Sequence, residues 1–463
     1  MGRSIQFVGA AIAAAMLSGG IGALGADPTP AELKAQIEQL QVKVQQLEQK
    51  QQTVNSRDVD ETVARIMSDT NRRSQFLADD VALTAGYDNG FFIGSADKNF
   101  LLRPGFIFQT RNVSNFRQNA KQGGSSDDFQ NGFEITRAKL FFDGNIFSPD
   151  LSYRFQWASD RNSGATLLED AWAQYRLRPG FAIRAGQFKT PVHHEELTGD
   201  QMQLAAERSL VNALLGGGAV GPRSQGVDFL FGTPTDPLHY EVMLHDGDGS
   251  VNTDFRDDIT PATAGTPPVA VRDTRPNWGA AGRAEWKLMG DWNDYKDFSA
   301  RNDTKDLLVV GGALDMTQFD GSNVYRGTAD VQYENPRGLG VYGALLADYQ
   351  DLRNTSAGAD DSLFDYGGLI QVGYLLRPNV EVFGRYDVTF LDTPVAGEDQ
   401  FHELTLGVNY FLGEDGKWGH HAKVTVDLTY LPNGAPSNQT SLGELANPGQ
   451  SEWVARLQFQ LWL

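Results

Sequence analysis

From about residue 90 onward the chain alternates apolar and polar residues with a period of two. The final stretch, WVARLQFQLWL, sets Trp453, Ala455, Leu457, Phe459, Leu461 and Leu463 on one face and Arg456, Gln458 and Gln460 on the other. In HAKVTVDLTY, Ala422, Val424, Val426, Leu428 and Tyr430 oppose Lys423, Thr425, Asp427 and Thr429. VEVFGRYDVTF repeats the scheme, with Val380, Val382, Tyr386, Val388 and Phe390 against Glu381, Arg385, Asp387 and Thr389. Residues two apart share a face of a strand, so each stretch is a strand with one apolar and one polar side. A half-buried soluble sheet has the same alternation. Strand lengths of roughly ten residues or more, with aromatics near the ends, favour a transmembrane barrel.

The links between strands mostly alternate short and long, as the two rims of such a barrel require. Short ones fall at 148–150, 178–180, 233–237, 335–338, 377–379 and 413–419. Longer polar ones fall at 111–130, 161–166, 191–222, 247–275, 317–322, 351–362, 392–400 and 431–450. The stretch 289–304 breaks the rule, being long where a short turn is due. Counting from Asn99 to Leu463 predicts an all-β fold, a transmembrane antiparallel β-barrel of about 16 strands. An even count places both ends of the barrel on the periplasmic side.

Two other segments precede the barrel. Residues 1–25 read as a signal peptide, with one early arginine, an apolar stretch and small residues, cleaved after Gly25 or Ala26. Leu33, Ile37, Leu40, Val44 and Leu47 then follow at spacings of 4, 3, 4 and 3, a heptad seam that predicts a short periplasmic coiled coil over 31–54. Three heptads are marginal alone, so the seam would add to an oligomer that already exists. Residues 55–89 read as a linker and 90–463 as the barrel.

The 463 residues contain no cysteine and carry a net charge of −20. Without a concentrated basic tract the chain has no means of neutralising phosphates along a nucleic acid. The acidic links are a solvated surface or, alternatively, sites for the cations that bridge lipopolysaccharide. The link 191–222 is unusual in carrying Met202, Leu204, Leu210, Val211, Leu214 and Leu215. An apolar link of this length is expected to fold back inside the barrel and narrow the lumen. It opens with His193, His194, Glu195 and Glu196. Adjacent histidines on an extended chain point apart, and nothing nearby supplies a nucleophile or oxyanion hole. No metal, cofactor or catalytic residue is therefore assigned, and the chain is not read as an enzyme.

The polar faces of the early strands carry a basic set: Arg137, Lys139, Arg154, Arg176 and Arg184. Lys189 has the wrong parity for Arg184 and needs a bulge at Gly186 to share its face. Glu207 and Arg208 come from the link. These eight are the candidate pore-lining and constriction residues. Three arrangements stay open: an anion-selecting wall, cations facing acids across the lumen, or salt-bridged charges of little selectivity.

GQFKTP followed by EE and by ER-SL at 207–210, FEITRAKLFFDGNIFSPDLSYRFQWASD (133–160) and GFFIGSADKNFLLRPGF (90–106) together resemble the phosphate-selective porin O and P family. The resemblance implies a homotrimeric sixteen-stranded outer-membrane channel whose third loop constricts the pore. Its partners would be outer-membrane lipid and lipopolysaccharide, and its cargo small hydrophilic solutes, with anions such as phosphate a candidate. The alternative is a structural tether acting through the coiled coil, with peptidoglycan as the contact.

Overall fold

The computed structural model describes residues 38–46, 83–88, 90–120, 128–216, 222–252, 276–301, 304–319, 322–352 and 361–463. The chain divides into two compact units, Met1–Asp80 and Val81–Leu463. In the first, 38–46 is helical, with every residue exposed. Leu40 and Val44 of the heptad seam lie on it, 61% and 50% exposed. The signal segment and the rest of the seam lie outside the described residues.

The second unit is one antiparallel sheet of eighteen strands. The first nine are β1 (Leu83–Tyr87), β2 (Phe91–Ser95), β3 (Leu101–Arg117), β4 (Phe129–Asn145), β5 (Leu151–Ser159), β6 (Thr166–Arg178), β7 (Phe181–Lys189), β8 (Arg223–Phe231) and β9 (Leu238–His245). The rest are β10 (Pro276–Met289), β11 (Leu307–Phe319), β12 (Ser322–Glu334), β13 (Leu339–Leu352), β14 (Ser362–Arg377), β15 (Val380–Val395), β16 (Glu398–Phe411), β17 (Ala422–Leu431) and β18 (Glu452–Trp462). Sixteen of them, β3 to β18, form a closed barrel, because β18 pairs back on β3 from Phe116↔Trp453 to Ile107↔Trp462. Closure leaves no unpaired edge. β1 and β2 form a hairpin hung on the start of β3 through Ile93↔Leu102 and Gly94↔Leu101. β1 lies within the stretch read as linker, so the sheet starts ahead of residue 90; five residues are too few for alternation to announce a strand.

The two faces of the barrel are chemically opposite. On β16, Leu404, Leu406, Val408 and Tyr410 are exposed on the outside, while Glu403, Thr405 and Asn409 are buried on the inside. Aromatic rings close the apolar belt at both rims. Tyr325 and Tyr349, Tyr366 and Phe390, Tyr430 and Trp453, and Phe116 and Phe129 pair near one rim. Trp286, Tyr333, Tyr374 and Tyr410 lie near the other. An apolar belt between two aromatic girdles is what a bilayer demands of a β-barrel.

The link 290–306 is the long exception at the rim where the barrel starts and ends, as expected. Two of the links expected to be long are instead tight. β11 and β12 leave only 320–321 between them, and β15 and β16 only Ala396 and Gly397, with φ of 52° and 90°. Two positive φ angles make a hairpin turn whose twist matches the strands. The polar residues around it belong to strands extended beyond the belt. Inside, Leu204, Val211, Leu215 and Phe298 pack with Tyr342, Leu346, Leu369 and Phe383 in the largest apolar cluster.

Candidate functional site

The segment between β7 and β8 begins where Lys-Thr-Pro ends the strand. It carries two short helices, His194–Leu197 and Leu210–Leu215, and a turn at Asp200–Met202. Ser209 caps the second helix, its Oγ accepting the Asn212 N–H at 3.2 Å. Irregular backbone away from water must find hydrogen bonds elsewhere, and here they come from the polar faces of β15 to β17. Carboxylates accept its N–H groups: Leu210 to Glu403 at 2.7 Å, Ala206 to Asp427 at 2.9 Å and Val211 to Asp387 at 3.2 Å. Donors take its carbonyls: Lys423 to Gln203 at 2.6 Å, Arg385 to Glu207 at 2.8 Å and Asn409 to Leu204 at 3.0 Å.

Two carboxylates of the segment meet the basic face of β3 and β4. Asp200 lies 2.8 Å from Lys139, 2.6 Å from Arg208 and 3.4 Å from Arg137. Burial pushes the Asp200 carboxyl up, but Lys139, Arg137, Arg208 and Lys189 outweigh it and hold the group well below its usual range. Glu207 bridges Arg137, at 2.6 Å, and Arg111. Its carboxyl is held down in the same way, burial being overcome by Arg137 and Arg111. Five of the eight candidate residues are therefore brought together: Arg137, Lys139, Glu207 and Arg208 around Asp200, with Lys189 beside them through its bonds to Glu196.

The other three sit apart. Arg154 lies between Asp143 at 3.0 Å and Asp170 at 3.4 Å, over the Phe141 ring. Arg184 donates to Gln174 at 3.1 Å and flanks Trp172 and Phe188, with Asp228 3.7 Å away. Arg176 is at the rim, 53% exposed and 2.5 Å from Asp150. The bulge expected at Gly186 is absent, because the register runs unbroken through Trp172↔Gly186 and Ala171↔Gln187. Instead Gly186 takes φ of +135°, and a Cβ there would lie 2.1 Å from the Ala171 carbonyl oxygen. Arg184 and Lys189 consequently serve different neighbourhoods.

Charge balance is the main result of this geometry. Arg111, Arg137, Lys139, Arg154, Arg161, Lys189, Arg208 and Arg223 contact Glu134, Asp143, Glu169, Asp170, Glu196, Asp200 and Glu207, a near balance of eight cations to seven carboxylates. The basic residues were legible as a face of alternating positions, and salt-bridging was among the arrangements left open; which acids meet which cations was not legible. Arg111 and Arg223 escaped sequence reasoning, as did the ion pairs of the facing wall. These include Arg283–Asp330 at 2.9 Å, Arg385–Glu403 at 2.8 Å and Arg456–Asp427 at 3.1 Å.

The two histidines do point apart. His194 stacks on Tyr295 at 4.1 Å and bonds Gln332 at 2.9 Å. His193 is buried with no hydrogen bond at either nitrogen, beside Arg326, Asp248 and Asp315 around a cavity of about 10 Å³. The Tyr295 contact joins the segment to the link 290–306, which arrives from the opposite rim. Phe298 of that link enters the inner apolar cluster, and Ser299 donates to Glu381 at 2.7 Å.

A closed sixteen-stranded barrel with an apolar exterior and a charged interior defines the class: a transmembrane β-barrel. Residues 109–241 match the family model described as phosphate-selective porin O and P. Solved structures support the fold. An anion-selective porin from Comamonas acidovorans is 12% identical with a TM-score of 0.51, over 79% of this chain and 100% of that one. Salmonella typhi OmpF, in complex with daunomycin, is 12% identical at 0.50, over 82% and 100%. Pseudomonas putida OprB at high pH is 11% identical at 0.50, over 79% and 95%. No sequence match was found among curated proteins.

Proposed function

We propose that the protein is an outer-membrane channel for passive diffusion of small hydrophilic solutes, its lumen narrowed by the segment 190–222. The observation that carries this reading is the set of bonds between that segment and the polar inner face of the barrel. A tether would have no use for such an arrangement, and among the described residues no catalytic constellation stands beside it. The segment 290–306 adds a second obstruction from the other rim. Water and solute are left the side of the lumen along β5 to β9. There the Arg154 and Arg184 side chains stay 27% and 23% exposed, whereas Arg385 and Arg456 on the opposite wall are at 2% and 0%.

With the clustered charges balanced, this path favours dipolar solutes and confers a modest preference for small anions, phosphate among them, through Arg154 and Arg184. Export by residues 1–25, homotrimeric assembly and contact with lipid and lipopolysaccharide belong to the same reading. Exposure of Leu40 and Val44 favours a second role, in which the helix pairs with its copies or rests on peptidoglycan. Reversal potentials under a KCl gradient, with and without phosphate, test the solute preference. A modest anion bias reduced by phosphate is expected. A cation bias indifferent to phosphate overturns it.

A further inference from the structure

The open side of the lumen carries two acids that face each other without a full set of partners. Asp228 on β8 and Glu241 on β9 both point inward. Asp228 pairs with Met243 and Leu230 with Glu241, so the two acids are diagonal neighbours on adjacent strands. Their carboxyl groups meet within hydrogen-bonding range. Asp228 is completely buried, and neither of its oxygens takes a well-formed hydrogen bond, the Phe229 N–H lying nearby at poor geometry. Glu241 stands between Asp228 and the lumen, where it lines a cavity of about 220 Å³ with Leu230, His239, Arg283 and Glu285.

The cations around the pair are engaged elsewhere. Arg184 lies 3.7 Å from Asp228, beyond hydrogen-bonding distance, and donates to Gln174 while flanking the Trp172 and Phe188 rings. Arg283 stands opposite Glu241 on β10, yet all five of its N–H groups have other partners. Its Nε donates to Glu285 at 2.7 Å. Its terminal nitrogens each donate to Asp330 at 2.9 Å, one also to the Val192 carbonyl at 2.9 Å and the other to the Tyr295 hydroxyl at 3.2 Å. Lys287 turns to the Trp292 ring at 5.1 Å. His239 is bonded to the Thr233 carbonyl at 2.7 Å and His245 to Asp315 at 2.8 Å. Ionised carboxylates only accept hydrogen bonds, and two in contact repel unless positive charge sits between them. Arg184 offsets one of the two charges. The contact itself calls for a second cation.

We propose that Asp228 and Glu241 together bind one small cation from the lumen, a proton or a divalent metal ion, and thereby set the net charge beside Arg184. Its effect on selectivity rests on the channel reading above; its occupancy does not. Loss of the cation adds negative charge beside Arg184 and cancels the pull of that arginine on anions. A unit charge about 6 Å from an ion's path in water changes the local ion concentration about threefold. Reversal potentials of the full-length protein in dilute KCl read this change. If the occupant is a proton, raising the pH in the presence of a chelator should lower the anion-over-cation permeability ratio by about that factor. If it is a metal ion, chelation alone should lower the ratio, and millimolar calcium or magnesium should restore it. Glu241→Gln keeps the shape and donates its amide to Asp228, so it should abolish either response. Asp228→Asn should do the same, which keeps the test valid where one variant folds poorly. A ratio indifferent to pH and to divalent ions, or a response of equal size in both variants, would overturn the proposal. Infrared difference spectra of the same proteins read the carboxyl groups without any current. The wild type should lose a protonated-carboxyl band on alkalinisation, or shift a carboxylate band on adding calcium, and Glu241→Gln should do neither. That difference in a barrel that does not conduct refutes the channel reading alone, whereas identical spectra from wild type and variant overturn the cation site.

Discussion

Glu207→Gln removes one negative charge from the segment 190–222 while keeping its shape. The carboxylate is 2% exposed and holds Arg137 at 2.6 Å together with Arg111, whose side chain is fully buried. Severing a buried ion pair costs about 3–5 kcal/mol when a charge is stranded. Neither arginine is stranded here. Arg111 keeps Glu134 at 2.6 Å and the Ser441 carbonyl at 3.0 Å, and Arg137 keeps Gln109 at 3.0 Å and Asp200 at 3.4 Å. The loss then falls to that of a hydrogen bond to a charged group, about 2 kcal/mol. That corresponds to roughly a 30-fold rise in the undocked fraction of the segment. Hydrogen exchange at the Leu210 and Val211 amides, which depends on opening, should accelerate by a similar factor. Single-channel records should show more frequent excursions to a larger conductance. Unchanged exchange and unchanged records would refute the idea that Glu207 latches the segment to the wall.

Three further outcomes follow from the same geometry. Arg154→Ala removes the arginine that Asp143 holds at 3.0 Å and leaves Asp170 with Arg223 alone, at 2.6 Å, and should shift the reversal potential toward cations, whereas Arg176→Ala, at the solvated rim, should leave it unchanged; equal shifts would contradict the placement. Phe298→Ala deletes a ring from the inner cluster, so a loss of about 3–5 kcal/mol should lower the thermal midpoint and raise unitary conductance. His193 is pulled down to about 4 by burial together with Arg326 and Arg283, from an ordinary 6.5. Its unfolded form therefore binds the proton first, and its contribution of roughly 3 kcal/mol is complete above pH 6.5 and lost on acidification toward pH 4. His193→Gln should flatten stability over that window, and a slope unaltered by the substitution would contradict the burial argument.

The barrel was legible because alternation repeats over strands long enough to cross a bilayer, as in β15, β17 and β18. The placement of 191–222 as the third long link followed from turn chemistry at SPD and RPG. Its apolar residues set it apart from a solvated loop. What escaped were features decided by distant partners. Nothing around Asp200 and Glu207 in sequence says that Arg137 and Lys139, some 60 positions earlier, will meet them. The hairpin at Ala396–Gly397 was hidden because strands that rise beyond the membrane become polar on both faces. Lys189 looked misplaced because parity assumes regular backbone, and Gly186 at φ of +135° is not regular.

The central claim, that this barrel conducts, is tested most directly by adding the purified protein to a planar bilayer in KCl. Stepwise increases in current, each a single insertion, are predicted, with steps enlarged in Glu207→Gln. Insertion of folded, heat-modifiable barrels without any current step would contradict the account and leave the tether as the function of the chain.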